Sequence, residues 1–240
     1  MSNGIEHSVA YLRRRLRELA TAESREAQQR FFKGPVHSLG VRTPDVRKLA
    51  GAAAREYRER QLSLGAIIDL ASRLWHDGVL EERVLAVVIV SRFASQLEHR
   101  HWKRFDAWAS SLSNWGETDA LSAEILSPLL AHEPSLVKNL KNWTRSDSRW
   151  RRRAAAVSLA KAARRGDRHD AAFEICDRLA EDRDDMVEKA VGWLLKEISR
   201  TDPDAVLRYL LANRDRLSRT TLRYAAEKLP DEMRDRALSA

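Results

Sequence analysis

Four residues of this chain, two tryptophans, a carboxylate and an arginine, combine side-chain types and spacings that could form a functional site. Trp115 and Asp119 stand four positions apart, so they share one face of a helix. Arg153 follows 34 positions after Asp119, and Trp193 follows 78 positions after Trp115. A carboxylate can orient a water and stabilise developing positive charge. An arginine can hold a phosphate, and a tryptophan face attracts a cation.

The elements that must position these residues are predicted to be helices. The chain has no convincing run of alternating β-branched residues, and its 9 Gly and 6 Pro stand where helices should start or stop. Residues 33–42 form a predicted loop, after which Thr43 is expected to cap a helix that has Pro44 at its first position. After two N-terminal helices, the pattern predicts helices at 43–58, 63–75, 80–95, 101–112, 115–130, 134–143, 148–164, 168–181, 186–200, 203–214 and 219–228.

A repeat organises these helices. Four segments superimpose without gaps: Arg83-VLAVVIV, Asp119-ALSAEIL, Arg153-AAAVSLA and Lys189-AVGWLLK. Their first residues are 36, 34 and 36 positions apart, a period typical of helical hairpins. The sequence therefore predicts an all-α fold, an α-solenoid of HEAT-like antiparallel helical-hairpin repeats with a concave basic face. No low-complexity linker interrupts the pattern, so residues 1–240 are expected to form a single domain.

The repeat register predicts that the four residues converge on one surface, because equivalent positions of stacked repeats line up. The alternative is that Asp119 and Arg153 only bridge neighbouring repeats and that Trp193 belongs to the core. Two local features favour a site. Trp115 stands in a polar setting, and Gly192 removes a side chain next to Trp193, as a close-approach surface needs.

The charge of the chain indicates a polyanionic partner. The formal net charge is +8, and Arg149, Arg151, Arg152 and Arg153 surround Trp150. Four arginines in five positions cannot all be buried, because each unpaired buried charge costs several kcal/mol. This cluster also adds more positive charge than one bridge to a carboxylate requires, which again favours a site.

Other classes of protein find little support in the sequence. A single cysteine, Cys176, excludes an internal disulfide and a cysteine-cluster metal site, and its apolar neighbours predict a core position. The seven histidines show no metal-ligand spacing, and no glycine-rich phosphate loop occurs, so neither a metal nor a cofactor is expected. The single cysteine fits a reducing cytosol, so a cytoplasmic location is expected, and no apolar run approaches 18 residues, so no transmembrane helix is expected.

Four stretches carry a resemblance to a known family: LGVRTPDVRKL (39–49), NWGETDAL (114–121), WRRRAAAVSL (150–159) and EKAVGWLLKEISRTDPDAV (188–206). The chain resembles the AlkD-type alkylpurine DNA glycosylases, which are built of HEAT-like repeats, over about 31–206. By this resemblance, the family's functional tryptophan and aspartate fall on Trp115 and Asp119. Its arginine falls on Arg153 and its second tryptophan on Trp193.

The resemblance implies hydrolysis of the N-glycosidic bond of N3- or N7-alkylated purines in duplex DNA, without a base-flipping pocket, to leave an abasic site. Asp119 would stabilise an oxocarbenium-like sugar and orient the water. The two tryptophans would pack on the sugar–phosphate of the damaged nucleotide, and Arg153 would hold its phosphate. Further contacts to the DNA backbone are expected from Arg149, Arg151, Arg152 and Lys189. The resemblance also implies a monomer associated with the nucleoid.

Two positions depart from the family pattern. Phe31 and Arg42 stand where a tyrosine and a neutral polar residue are expected, and both are candidates for DNA contact. Their identity bears on lesion choice rather than on the reaction. Two alternatives therefore remain open. One is a specialised relative that excises bulky minor-groove purine adducts, of the kind seen in antibiotic self-resistance. The other is a non-catalytic HEAT-type DNA-binding scaffold.

Overall fold

The computed structural model describes residues 2–32, 34–76 and 78–239, and over these ranges the chain contains helices and no strand. The helices are α1 (Ser2–Leu19), α2 (Ala22–Phe31), α3 (Thr43–Glu59), α4 (Leu64–His76), α5 (Leu80–Ser91), α6 (Trp102–Ala109), α7 (Trp115–Leu121), α8 (Ser127–His132), α9 (Val137–Trp143), α10 (Arg149–Ala163), α11 (His169–Arg178), α12 (Asp185–Ile198), α13 (Pro203–Ala212), α14 (Arg219–Ala226) and α15 (Asp231–Leu238). The all-α class is confirmed. The chain divides into two compact units, 1–125 and 126–240, and the expectation of a single domain stays a prediction.

In the first unit, α3, α5 and α7 lie side by side, while α4 packs on α5 and α6 packs on α4. Trp75 and Trp108 form the centre of the core, with ring centroids 4.8 Å apart and planes at 9°. The Trp75 indole N–H donates to Ser111 Oγ at 2.9 Å, and the Trp108 indole N–H donates to Ser72 Oγ at 3.2 Å. Both bonds join residues 36 positions apart, so the predicted period recurs in the packing.

In the second unit, α10, α12 and α14 lie side by side, and α9, α11 and α13 pack along them. The buried alanines of α10 allow α12 to approach closely, because their side chains end at Cβ. Thr221 Oγ1 donates to the Glu188 carbonyl at 3.1 Å across 33 positions. Contacts spaced by about one repeat therefore occur in this unit as well, and the predicted helical-repeat fold is confirmed.

The buried cysteine behaves as the sequence predicts. Cys176 lies on α11 with no exposed surface, and burial raises the pKa of its thiol well above the ordinary value, because the thiolate would lose its hydration. Within the described ranges, no helix is long and apolar enough to cross a membrane. The same residues contain no group of three or more His, Cys, Asp or Glu side chains placed to hold a metal ion.

Three local predictions differ from the structure. The helix expected at 115–130 is interrupted by a π-helical turn, Ser122–Leu126, because Pro128 has no N–H to donate one turn back and its ring crowds that carbonyl. Thr43 is the first helical residue of α3 rather than its cap. The C-terminal α15 was not predicted, because it buries only Ala237 and so shows no apolar period. The predicted loop is non-helical over 34–42, and Lys33 lies outside the described residues.

Gly192 serves packing rather than the approach of a ligand, which corrects the sequence interpretation. A Cβ at this position would lie 2.5 Å from the Cβ of Tyr224 and 2.9 Å from the carbonyl oxygen of Thr221. Both neighbours belong to α14, so the absent side chain allows α12 and α14 to pack together. Gly51 on α3 is the opposite case, because a Cβ there would meet no heavy atom within 4 Å.

Replacing each of the two glycines by alanine is expected to change the free energy of unfolding in opposite directions. Gly192→Ala should lower the free energy of unfolding by about 1–3 kcal/mol, because the α12–α14 contact must open. Gly51→Ala should raise the free energy of unfolding by about 0.5–1 kcal/mol, because alanine stiffens the unfolded chain and favours helix. Urea denaturation followed by far-ultraviolet circular dichroism measures both. A stabilising Gly192→Ala would contradict the packing role.

Candidate functional site

The start of α7 carries the first two candidate residues. Asn114 caps this helix, since its side-chain oxygen accepts a hydrogen bond from the Glu117 backbone N–H at 2.9 Å. Trp115 is the first helical residue, and Asp119 lies one turn later on the same face. Both side chains are half-buried. The predicted juxtaposition of an indole and a carboxylate therefore follows directly from the cap and the helical spacing.

A buried ion pair fixes α7 on α5. Glu117 is 3% exposed and Arg83 is 13% exposed, and the guanidinium lies 2.9 Å from the carboxylate. Arg83 also donates to the Ser111 carbonyl at 2.7 Å, while the Ser113 N–H donates to Glu117 at 3.0 Å. Arg83, the first member of the predicted row, thus has a structural task. It holds the turn before α7 and hence the direction in which Trp115 points.

An open cleft of about 780 Å³ lies in front of Trp115 and Asp119 in the first unit. Its aromatic wall comes from the end of α2, where Phe32 stacks on Trp115 with ring centroids 5.0 Å apart and planes at 21°. Phe31 is 75% exposed at the same end of α2 and also lines the cleft. The stacking orients the Trp115 indole, and the exposed Phe31 ring supplies a second apolar surface for a ligand.

A single carboxylate shapes the rim of the cleft. Glu81, buried at the start of α5, accepts hydrogen bonds from the backbone N–H groups of Leu39, Gly40 and Val41 at 2.9, 2.9 and 3.0 Å. Gly40 has φ +89°, and any Cβ there would overlap the Thr21 carbonyl. These hydrogen bonds and the conformation of Gly40 fix the end of the loop, and Arg42, which directly follows Val41, lines the cleft.

Several charged residues that line the cleft have partners within the protein. Glu81 is occupied by the backbone of the loop, and Glu124 forms an ion pair with Arg47 at 3.0 Å. Arg42 pairs with Asp45 at 2.9 Å but keeps 73% of its side chain exposed. Glu81 and Glu124 therefore hold parts of the cleft in place, while Asp119 stands one helical turn after Trp115 on the wall of the cleft.

Most of the predicted backbone-binding cations belong to the second unit, where acidic residues at 182–185 pair with them. The pairs are Arg149 with Asp184 at 3.2 Å, Arg152 with Asp182 at 2.6 Å, and Lys189 with Asp185 at 3.0 Å. Arg151 lies over the Trp143 ring, with the guanidinium carbon 5.3 Å from its centroid. These pairs reduce the positive charge that α10 offers to an anion, and DNA contact by the four residues stays a prediction.

Arg153 and Trp193 also lie in the second unit. Arg153 is 7% exposed, and its guanidinium donates to the Met186 carbonyl at 2.7 Å, which links α10 to α12. This bond agrees with the alternative in which Arg153 bridges repeats. Trp193 is half-buried, and its indole N–H donates to Glu197 at 3.1 Å. The convergence of Arg153 and Trp193 with Trp115 and Asp119 stays a prediction.

The sequence of most of the chain matches a known protein family. Residues 12–229 match the family described as DNA alkylation repair enzyme. The chain belongs to this family. Membership makes DNA the expected partner. The resemblance seen in the sequence is thereby confirmed at the level of the DNA alkylation repair family.

Solved structures support the fold of the family member. A predicted DNA alkylation repair enzyme from Enterococcus faecalis is 15% identical, with a TM-score of 0.78 over 88% of this chain and 97% of that one. AlkD2 from Streptococcus mutans is 17% identical, with a TM-score of 0.63 over 94% and 99%. The protein smu.31 from Streptococcus mutans UA159 is 17% identical, with a TM-score of 0.56 over 77% and 100%. No curated protein matches the sequence.

Three cleft residues of this DNA alkylation repair family member were missed by sequence reasoning. Phe32 adjoins the predicted Phe31, so the doublet was a usable signal. Arg47 lies within the stretch 39–49 and one helical turn after Thr43, which places it beside the cleft. Glu124 gave no signal, because its contact with Arg47 joins residues 77 positions apart.

Proposed function

We propose that this member of the DNA alkylation repair enzyme family is a monofunctional DNA glycosylase. It hydrolyses the N-glycosidic bond of N3- and N7-alkylated purines, such as 3-methyladenine and 7-methylguanine, in duplex DNA. The observation that carries the proposal is the pairing of the Asp119 carboxylate with the Trp115 indole on one face of α7, in an open cleft lined by aromatic residues. The product is an abasic site.

The proposed reaction needs a negative charge near the sugar rather than an acid that protonates the leaving base. An N3- or N7-alkylated purine already carries a formal positive charge, so the base leaves without further protonation. The sugar then develops oxocarbenium character, which a nearby carboxylate stabilises while it orients the attacking water. Asp119 is the residue proposed for this role, because it lies one helical turn after Trp115 on the wall of the open cleft.

Aromatic faces supply the second part of the mechanism. Trp115 rests on Phe32 and presents an indole that can pack against the sugar of the damaged nucleotide. A tryptophan face beside a cationic sugar and base contributes cation–π attraction of about 0.5–2 kcal/mol. Trp193 on the sugar–phosphate and Arg153 on the phosphate are carried over from the sequence resemblance alone.

The proposed reaction takes place without a base-flipping pocket. Trp115 and Asp119 are both half-buried on the wall of an open cleft, which supports attack on a nucleotide that remains at the protein surface. In this mechanism the reaction is promoted by the positive charge of the lesion, the Asp119 carboxylate and the aromatic wall of the cleft, and no enclosed pocket for the base is needed. A monomer suffices for this arrangement, because every group used belongs to one chain.

Release of free base from alkylated DNA is the direct test. A duplex treated with a methylating agent should yield 3-methyladenine or 7-methylguanine, detected by chromatography and mass spectrometry. Strand breaks should appear only after alkali or heat, since a monofunctional enzyme leaves the abasic strand intact. Binding of the duplex without any release of base would instead favour the non-catalytic scaffold.

A second substrate class is favoured by one observation. The cleft volume of about 780 Å³ lies within the range of sites that take drug-sized ligands, and Phe31 is 75% exposed at its edge. A bulky minor-groove purine adduct would fill more of this space than a methyl group does. A parallel assay with a bulky-adducted duplex separates the two substrates. Faster release of the bulky base, together with a loss of that advantage in Phe31→Ala, would identify the specialised activity.

A further inference from the structure

A second groove of the first unit, of about 480 Å³, is lined almost entirely by positive charge. Its cations are Arg47, Lys48, Arg55, Arg58 and Arg92, and its remaining lining residues are Gly51 and Ala54. No carboxylate lines it within the described chain. Like charges brought together raise the energy of the free protein, so such a cluster is stabilised when an anion occupies it.

The groove is formed by one face of α3 and the end of α5. Arg47, Gly51, Arg55 and Arg58 recur at intervals of three or four along α3, so their side chains share a stripe. Gly51 lies in the middle of this stripe and leaves open space above the helix backbone. A bulky anionic group can therefore approach α3 there, with cations on both sides of it.

The cations of the groove differ in how they are held. Arg58 is fixed, since its guanidinium donates to the Arg92 carbonyl at 2.7 Å and lies 4.8 Å from the centre of the Phe93 ring. The exposed side chains of Lys48, Arg55 and Arg92 have no carboxylate partner among the described residues. The groove thus combines one oriented guanidinium with three cations whose charge is available to a ligand.

The groove and the candidate active site share one lining residue. Arg47 lines both the basic groove and the cleft that contains Trp115 and Asp119. From Arg47 to Arg58, α3 advances 11 residues, or about 16 Å. A DNA strand carries one phosphate for about every 3.4 Å of helix axis, so this face spans the axial rise of about four or five phosphates of one strand.

From these observations we infer that the basic groove binds the phosphodiester backbone of the same duplex, beside the nucleotide that occupies the cleft. The inference rests on the proposed function for its choice of ligand. Lys48, Arg55 and Arg92 make sequence-independent contacts with phosphates, and Gly51 admits the backbone close to α3. The groove contributes binding energy and register, while the reaction itself stays with the cleft.

The test compares two triple variants that each remove three positive charges. The first is Lys48→Ala/Arg55→Ala/Arg92→Ala in the groove. The control is Arg100→Ala/Lys103→Ala/Arg104→Ala, three exposed residues on and just before α6. Fluorescence anisotropy gives the Kd for an undamaged duplex between 50 and 200 mM salt. At 100 mM, the groove variant should bind about 10- to 100-fold more weakly, with its salt slope reduced by about 2, against little change in the control. Equal losses in the two variants would overturn the inference.

Two further readouts keep this inference separate from the proposed function. The single-turnover rate of base release by the groove variant should fall at limiting protein and recover as the protein concentration is raised, whereas a fall that persists at saturating protein would place these cations in the reaction. If no base is released by any form, the anisotropy result still decides whether the groove binds DNA. Replacing chloride by inorganic phosphate at equal ionic strength should weaken wild-type binding more than groove-variant binding, because inorganic phosphate competes with the DNA backbone for the same three cations. An equal effect on both proteins would contradict the inference.

Discussion

Asp119→Asn is expected to lower the single-turnover rate of base release about 100- to 1,000-fold, while the Kd for the same duplex changes less than about threefold. Asparagine keeps the size of the side chain and removes the negative charge, so it removes stabilisation of the cationic sugar and leaves the cleft intact. The rate is measured at saturating enzyme on a methylated duplex, which separates chemistry from binding. A variant with wild-type rate would exclude Asp119 from the reaction.

Glu124→Gln is the matched control for this substitution. Glu124 lines the same cleft, but its carboxylate is engaged by Arg47 at 3.0 Å. The same loss of charge at this position should change the rate by less than about threefold, because the partly exposed pair contributes little. If both variants lost activity equally, the negative potential of the whole cleft, rather than one positioned carboxylate, would drive the reaction.

Glu117→Ala is expected to have the largest effect on stability, a loss of about 3–5 kcal/mol in the free energy of unfolding. The substitution leaves the guanidinium of Arg83, which is 13% exposed, without its carboxylate, and it also removes the acceptor of the Ser113 N–H. Urea denaturation followed by tryptophan fluorescence measures the loss. The variant should also release base more slowly at temperatures below its unfolding transition, because α7 carries Trp115 and Asp119.

Two comparisons identify the origin of that loss. Arg83→Met/Glu117→Leu removes both charges and should recover a large part of the stability, since no charge is left buried and unpaired. Arg104→Ala breaks the exposed pair with Asp69 and should cost less than about 1 kcal/mol. A Glu117→Ala variant no less stable than Arg104→Ala would show that the buried pair is not what fixes α7.

The fold was predictable because helical periodicity and a recurring spacing are both local properties of the sequence. The 36-residue interval of the charged positions reappears as two hydrogen bonds across 36 positions in the core. The π-helical turn at Ser122–Leu126 was not predicted, because Pro128 can end, kink or widen a helix and the sequence does not distinguish these outcomes. The C-terminal α15 was missed because a helix that buries one alanine has almost no apolar pattern.

The candidate site was predictable only where one helix carries it. Trp115 and Asp119 follow from a four-residue spacing on α7, whereas the hydrogen bonds of Glu81 reach the loop across 40 to 42 positions and have no local signature. The ion pairs of the α10 cations were not predicted from the sequence. The acidic residues Asp182, Asp184 and Asp185 lie about one repeat after Arg149, so the repeat register itself could have indicated the ion pairs.

The Glu81 carboxylate couples the motion of the three residues at the rim of the cleft. The amides of Leu39, Gly40 and Val41 share this carboxylate as their hydrogen-bond acceptor. They therefore lose protection from deuterium exchange together when these hydrogen bonds break. Their exchange should follow one common rate, distinct from the slower exchange of amides inside α5. That rate would report how often the mouth of the cleft opens, and its change on adding duplex would show whether DNA closes the rim or enters through it.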